Sequence, residues 1–294
     1  MKALIVGLVK NYHFKRVQEE AEKQGVEVDG CYCEELVINA SSDNFEVSLR
    51  GKPLDYDLIY LWAFSKCRWE WITAVDYLSK TRGTKIINKK LIDPAYQYYL
   101  TSAIDYWKQN IESIPFPKSS VILSKKSVES VIGGYRFPVI IKPTEGRKGK
   151  NVFKCESAEE VKRAIDEMEG ARAYVVREFI PNDGDIRVFT VGYRAIGAMK
   201  RTPKEGDFRS NISQGGSGVA YDLAQNPKVQ EIAEKTARAM QTEIAGVDVI
   251  IHAETGEPYV LETNPGPQFE GLETYTDVNA AGEIVKYFKE VAEK

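Results

Sequence analysis

Residues 246–273 read GVDVIIHAETGEPYVLETNPGPQFEGLE, from Gly246 to Glu273. Two apolar runs, Val247 to Ile251 and Tyr259 to Leu261, flank Glu254-Thr255-Gly256, the pattern of a β-hairpin closed by a short glycine-containing loop. With His252 facing Pro258 across a five-residue loop, the register sets Asp248 directly opposite Glu262, and Asn264 follows two residues further on the same face. Val247, Val249, Ile251, Tyr259 and Leu261 then make up the opposite, apolar face, which packs on a core.

Directly opposed side chains on an antiparallel pair have Cβ atoms roughly 4.5–5.5 Å apart, and like charges so placed repel. A cation is therefore expected between Asp248 and Glu262. Two carboxylates and an amide suit a hard, oxygen-seeking ion, Mg²⁺ or Mn²⁺, which takes its remaining ligands from water and substrate phosphates. The competing reading is a hairpin with one solvated face, where opposed acids cost only about a few tenths of a kcal/mol. The hairpin alone leaves both open.

Around this stretch lies a chain of 294 residues, enough for two or three compact units with a substantial core. Its 40 basic and 43 acidic residues give a formal charge of -3. No global excess therefore points to nucleic acid or an anionic membrane, and any phosphate binding has to be local. Cys31, Cys33, Cys67 and Cys155 are scattered, and His13 and His252 are the only histidines. A Cys-X-Cys pair without a second pair reads as small buried or half-buried side chains in a reducing, cytoplasmic setting. The run Ala3 to Val9 is short, lacks a small-residue cleavage site and meets Lys10 and Asn11 at once, so a buried first strand is expected rather than a signal peptide. No apolar stretch reaches transmembrane length.

From that first strand the pattern runs through a helix marked by Phe14, Val17 and Ala21 and ending near Gln24-Gly25. An extended segment at Val26 to Val28 follows, then a strand at Asp57 to Trp62, a helix from about Trp69 to Lys80 and a strand at Thr84 to Asn88. This alternation predicts a parallel sheet with helices on its faces. The turn Gly7-Leu-Val-Lys-Asn lacks the glycine fingerprint of a dinucleotide site. The segment Tyr96 to Trp107 reads as helical, and Ile114-Pro115-Phe116-Pro117 breaks the chain before a new unit.

A strand at Ser120 to Leu123 and a helix at Ser127 to Ile132 lead to Phe137-Pro-Val-Ile-Ile-Lys142-Pro143, where an ammonium at the end of an apolar strand has to emerge or meet an anion. Glu145-Gly146-Arg147-Lys148-Gly149-Lys150 reads either as a loop that covers phosphates or as a plain basic hairpin loop. Ser157 to Glu160 is a capping box opening a helix with Val161, Ala164, Ile165 and Met168 inward, and a strand at Ala173 to Val176 runs into Arg177-Glu178-Phe179-Ile180. Asp185 to Val191 alternates as a strand carrying Asp185 and Arg187 on one face, for which a salt-bridged solvent face is the bland alternative; Ala195 to Met199 follows. The loop from Lys200 to Gly216 holds Arg201, Arg209, Ser210 and Asn211, groups that grip oxyanions. Asn226-Pro227 caps a helix with Val229, Ile232, Ala233, Thr236 and Met240 inward, and a closing helix from Val278 to Ala292 buries Ala281, Ile284, Val285, Phe288 and Val291.

Taken in order, Val-Ile-Ile-Lys142, the glycine loop, Arg-Glu178-Phe-Ile, Asp185-Ile-Arg187, Gly-Asp-Phe-Arg209-Ser-Asn211, Gly-Val-Asp248 and Leu-Glu262-Thr-Asn264-Pro-Gly-Pro resemble the ATP-grasp superfamily, within it the RimK-like branch of glutamate ligases. The match covers roughly residues 90 to 294. The resemblance implies an α/β and α+β protein: an N-terminal parallel-sheet domain (1–90), then an ATP-grasp fold of a central subdomain (91–180) and a C-terminal subdomain with the metal site (181–294), ATP lying between the two. It implies that Lys142 contacts the α- and β-phosphates, Glu178 and Phe179 the adenine, and Asp185 the ribose. Arg209, Ser210 and Asn211 would reach phosphates, Asp248, Glu262 and Asn264 would hold two Mg²⁺ (or Mn²⁺) ions, and Arg187, Arg201 and Arg209 would serve the transferring phosphate. Such families carry a further nucleotide-binding lysine after the first domain, yet the matching region is Tyr96-Gln-Tyr-Tyr-Leu100, with Lys89, Lys90 and Lys108 as nearby substitutes. The glycine loop is also more basic than the usual version.

The chemistry so implied is an ATP-dependent carboxylate-amine ligase, joining an acyl-phosphate to the amine of an amino acid, glutamate first among them, with no covalent enzyme nucleophile. No residue stands out as the base for the amine. A dipeptide or peptide-modifying ligase is the second reading and a nucleotide-binding regulatory module the third. The acceptor, a small molecule, peptide or protein C-terminus, is expected to be read by the N-terminal domain. Trp62, Trp69 and Trp71 are either part of that surface or core. Partners are otherwise ATP and the amino acid, without nucleic acid or membrane; a homo-oligomer is left open.

Overall fold

The computed structural model describes residues 1–7, 9–64, 67–93, 101–144, 151–168, 170–204 and 217–294. In the first part, β1 (Lys2–Val6), α1 (Tyr12–Gln24) and β2 (Glu27–Cys31) are followed by β3 (Leu36–Ala40), β4 (Phe45–Leu49) and β5 (Lys52–Pro53), then β6 (Leu58–Leu61), α2 (Arg68–Arg82) and β7 (Lys85–Ile87). The parallel sheet expected from the β-α alternation is present, in the order β2-β1-β6-β7. All of β6 and all but the first residue of β1 are buried, as befits strands covered on both faces. Asn11 caps α1 by accepting from the Phe14 N–H, and Gly25, at φ 68°, ends it in the left-handed region. Gly7 is required by packing, since a Cβ there would meet the Ala63 carbonyl oxygen at 1.8 Å. Strands β3–β5 form a separate antiparallel sheet not anticipated from the sequence; Val47, Ser48 and Leu49 are its only buried residues, so the alternation is faint.

The second part comprises α3 (Thr101–Ile111), β8 (Ser119–Ile122), α4 (Val128–Ile132), β9 (Val139–Pro143), β10 (Phe153–Cys155), α5 (Ala158–Glu167) and β11 (Tyr174–Glu178). Its strands are antiparallel in the order β10-β9-β11-β8. Val139, Ile141, Tyr174 and Val176 pack with Val128, Val161, Ala164 and Ile165 of the helices on one face. The other face is left to Ile140, Lys142, Val175 and Arg177. Ser157 accepts from the Glu160 N–H as expected, but the Glu160 carboxylate returns to the N–H of Glu156, one residue before the cap.

The third part contains β12 (Asp185–Val191), β13 (Arg194–Thr202), β14 (Ser217–Ala220), α6 (Pro227–Ala239), β15 (Ile244–Ile251), β16 (Pro258–Asn264), α7 (Glu270–Tyr275) and α8 (Ala280–Ala292). Its antiparallel sheet runs β14-β13-β12-β15-β16. Pro227 opens α6, but Asn226 makes no side-chain cap and donates to the Asp222 carbonyl instead. The hairpin β15-β16 pairs Asp248 with Glu262 and Gly246 with Asn264, as read from the sequence, while Ile251 rather than His252 faces Pro258. A bulge at Leu261 reconciles the two, since Val249 pairs with Val260 and the register shifts by one beyond it. The core residue of β16 is consequently Val260, beside Val247 and Val249, in place of Tyr259 and Leu261.

One core joins Ala3, Ile5, Tyr60 and Trp62 of the first part to Phe189, Ile244, Phe269, Ile284, Val285 and Phe288 of the third, so the closing helix folds back on the first sheet. His13, 4% exposed, lies in this seam with its ring 4.8 Å from Phe269, accepting from the Phe269 N–H. Burial lowers its pKa below 6.5, with Glu270 and Glu273 opposing. The unfolded chain then binds more protons than the fold, so stability is full above pH 6.5 and is lost as pH falls through the lowered value. Thermal midpoints followed by circular dichroism are expected to decline as pH falls below about 6.5, with a flatter slope in His13→Gln. An unchanged slope in that variant would remove His13 as the cause. Among the described residues no helix is long and apolar enough to cross a membrane.

Candidate active site

The third sheet gathers charge by register. Across neighbouring strands Arg187 of β12 pairs with Asp248 of β15 and Asp248 with Glu262 of β16, while Asp185, two residues before Arg187, pairs with Arg201 of β13 on the other side of β12. Directly opposed residues share a face and strand alternation repeats every second residue, so these five side chains and Asn264 point the same way. Asp248 is buried and receives Arg187 Nε and Nη2 at 2.7 Å each and Arg201 Nη2 at 3.0 Å. Burial alone would raise its pKa; Arg187 and then Arg201 outweigh that and hold it down at about 2. Asp185 takes Arg201 Nε at 2.5 Å, yet burial and the charge of Asp248 push its carboxyl upward. The bland reading of Asp185 and Arg187 as a solvent-facing i, i+2 pair is thus replaced by two cross-strand pairs, with Asp185 and Arg201 both buried.

The second sheet turns its open face toward this row. Lys142 Nζ lies 3.8 Å from Glu262 Oε2. Arg177 Nη2 donates to the Leu261 carbonyl at 3.2 Å, and the Val260 N–H donates to the Pro115 carbonyl, which ties the two sheets at β16. Arg177 first, and burial second, lower the pKa of Lys142, with Glu262 opposing. At the end of β11 the Glu178 N–H donates to the Lys118 carbonyl, and Lys154 sits 4.3 Å over the Phe179 ring. Arg209, Ser210, Asn211, the glycine loop 145–150 and Tyr96 to Leu100 lie outside the described residues, as does the Lys89 side chain. Lys90 pairs with Asp105 at 2.8 Å and Lys108 with Asp93 at 3.5 Å.

A model of the RimK-like ATP-grasp domain family matches residues 100–288. Over 292 residues the chain is 32% identical to the probable alpha-L-glutamate ligase of Legionella pneumophila (strain Paris), covering 96% of this chain and 92% of that protein. The chain belongs to the RimK-like ATP-grasp family. A ribosomal protein bS6–L-glutamate ligase of Escherichia coli O139:H28 is 37% identical over 162 residues, 54% of this chain and 52% of that one. The same fold is seen in the ATP-grasp ligase PsnB, solved with a precursor variant, Mg and ADP, at a TM-score of 0.70 and 18% identity, covering 99% of this chain and 98% of that one. This RimK-like protein is an ATP-dependent carboxylate-amine ligase.

In this RimK-like chain the donor set suits a hard cation. Asn264 Nδ2 lies 3.2 Å from Glu262 Oε1 and 3.4 Å from Asp248 Oδ2, so the three side chains meet at one place, and half a turn of the amide presents its oxygen there. Two carboxylate groups and an amide oxygen are ligands that Mg²⁺ accepts beside water and phosphate. Among the described residues no three His, Cys, Asp or Glu side chains are placed to hold a metal, so an ion here would need the amide and substrate oxygens to complete its set.

Supporting residues escaped the sequence reading. Asn88, fully buried, donates to the Pro265 carbonyl at 2.5 Å and pairs with the backbone of Ile244 through both ends of its amide. Tyr60 also donates to Pro265, and a Cβ on Gly266 would meet Trp62 Cδ1 at 2.5 Å. The turn after Asn264 is thereby pinned to the first sheet. The one available signal was a polar Asn at the end of the apolar run Ile86-Ile87. The tryptophans do not cluster as a platform: Trp62 and Trp71 are core, in separate clusters, and Trp69 is exposed.

Proposed function

We propose that this ligase activates an acceptor carboxylate as an acyl-phosphate and joins it to the amine of L-glutamate, forming an amide and releasing ADP and phosphate. The observation that carries this reading is the single sheet face on which Asp185, Arg187, Arg201, Asp248, Glu262 and Asn264 converge opposite Lys142. Glutamate is taken from the full-length similarity to chains named for it. We assign 1–90, 91–180 and 181–294 as the working units, with ATP held between the last two.

In this reading an acceptor carboxylate oxygen bonds to the γ-phosphorus as the bond to the bridging oxygen breaks and ADP departs. The glutamate amine then bonds to the acyl carbon, phosphate leaves and the amine gives up a proton. Lys142 meets the non-transferred phosphates, Glu178 and Phe179 the adenine, and Asp185 the ribose. Arg187 and Arg201 stabilise charge on the transferring group, and Arg209, Ser210 and Asn211 take further phosphate contacts. Asp248, Glu262 and Asn264 would hold two Mg²⁺ or Mn²⁺ ions, which would supply charge neutralisation of the phosphates.

The test is incubation of the protein with ATP, Mg²⁺, L-glutamate and a panel of acceptors, including peptides with free C-termini, with phosphate release and product mass recorded. A glutamylated acceptor formed with stoichiometric phosphate release is expected. Phosphate release with other amines but not glutamate would favour a dipeptide or peptide-modifying ligase. Nucleotide binding with no acceptor-stimulated release across the panel would sink the catalytic reading in favour of a regulatory module.

A further inference from the structure

Lys142 and Arg177 occupy one face of the second sheet as diagonal neighbours, because β9 and β11 pair Lys142 with Val175 and Ile140 with Arg177. Such positions lie ~7–8 Å apart, within reach of long side chains. Arg177 is 6% exposed, and its Nη2 donates to the Tyr106 hydroxyl at 2.8 Å and to the Leu261 carbonyl at 3.2 Å. Its Nε is buried with no hydrogen-bond partner among the described residues. Tyr106 is itself fixed by stacking on Phe116, with centroids 5.2 Å apart and planes 14° from parallel.

A buried guanidinium with an idle donor is costly unless something fills it. Across this face the one carboxylate in an ion pair is Glu262, half-exposed and directed at Lys142, so among the described residues two cations share one acid. The face therefore favours an anion, and the idle Nε–H of Arg177 is a charge-assisted donor for a phosphate oxygen. Lys90 and Lys108, the described lysines among the sequence substitutes for the family's further lysine, are paired with Asp105 and Asp93.

We propose that Arg177 is a further phosphate-binding cation of the nucleotide site, gripping with Lys142 the diphosphate of the bound nucleotide. The inference rests on the nucleotide reading of this face given above. Calorimetry on the full chain with Mg-ADP and with adenosine tests it in Arg177→Gln, Arg177→Lys and Lys142→Met. Arg177→Gln is expected to weaken ADP by about 10- to 100-fold, the worth of a charge-assisted hydrogen bond, and to leave adenosine unchanged, with partial recovery in Arg177→Lys. Equal losses for ADP and adenosine, or no loss for either, would reduce Arg177 to a structural tie between β11 and β16 and overturn the proposal. Where Arg177→Gln does not fold, Arg177→Lys decides: it keeps the charge without the Nε–H, and parent ADP affinity refutes the grip. Failure of the parent chain to bind ADP, or unchanged affinity in Lys142→Met, marks the failure of the nucleotide reading itself, which removes the proposal with it.

Discussion

Asp248→Ala is expected to abolish turnover and to destabilise the fold by about 3–5 kcal/mol, the usual consequence of removing one partner from a buried charge pair. The carboxylate is 3% exposed and accepts two hydrogen bonds from Arg187 and one from Arg201, whose side chain is itself 4% exposed. Without it Arg201 keeps, among the described residues, only Asp185, and Arg187 loses both bonds of its bidentate pair. Its contribution has a pH signature. The carboxyl is held below its ordinary 3.8 by the two arginines, so its stabilisation is present above pH 3.8 and fades as pH falls toward about 2. Urea denaturation at neutral pH measures the loss. A variant as stable as its parent would mean that the arginines find new partners and that the pair does not support the sheet.

Glu262→Ala should behave in the opposite way, with turnover falling on the order of 10²- to 10³-fold while stability changes by less than about 0.5 kcal/mol. Its side chain is 50% exposed, and the 3.8 Å contact with Lys142 is the kind of surface pair that contributes under about 1 kcal/mol. What the substitution removes is an oxygen from the place where Asp248, Glu262 and Asn264 meet. Acceptor-stimulated phosphate release gives the first readout and Mn²⁺ binding by electron paramagnetic resonance the second. Parent-level values in both would remove Glu262 from the metal set. The two substitutions together separate a group whose role in the fold and role in the site coincide from one that serves the site alone.

The strands of the first sheet and the pairing of Asp248 with Glu262 were legible because both follow from local patterns: continuous apolar runs, and two runs joined by a Gly-containing loop. The bulge at Leu261 was not legible. It leaves the hydrophobic count along β16 intact while exchanging Val260 for Tyr259 and Leu261 in the core, and only the packing against Val247 and Val249 selects between them. The short sheet β3–β5 escaped for a related reason, since strands with so few buried residues carry almost no alternation.

By itself the sequence determined which residues share a strand face, since alternation with period two is a property of the chain alone: Asp185 with Arg187, and Glu262 with Asn264. Partnership was decided only in three dimensions. That Arg187 meets Asp248 and that Arg177 lies beside Lys142 depend on register between strands not joined by a turn, and that Arg201 meets Asp185 depends on the register shift at Phe189/Thr190 within the β12-β13 hairpin. Register is settled by the burial of whole faces and by bulges, and no residue encodes it locally.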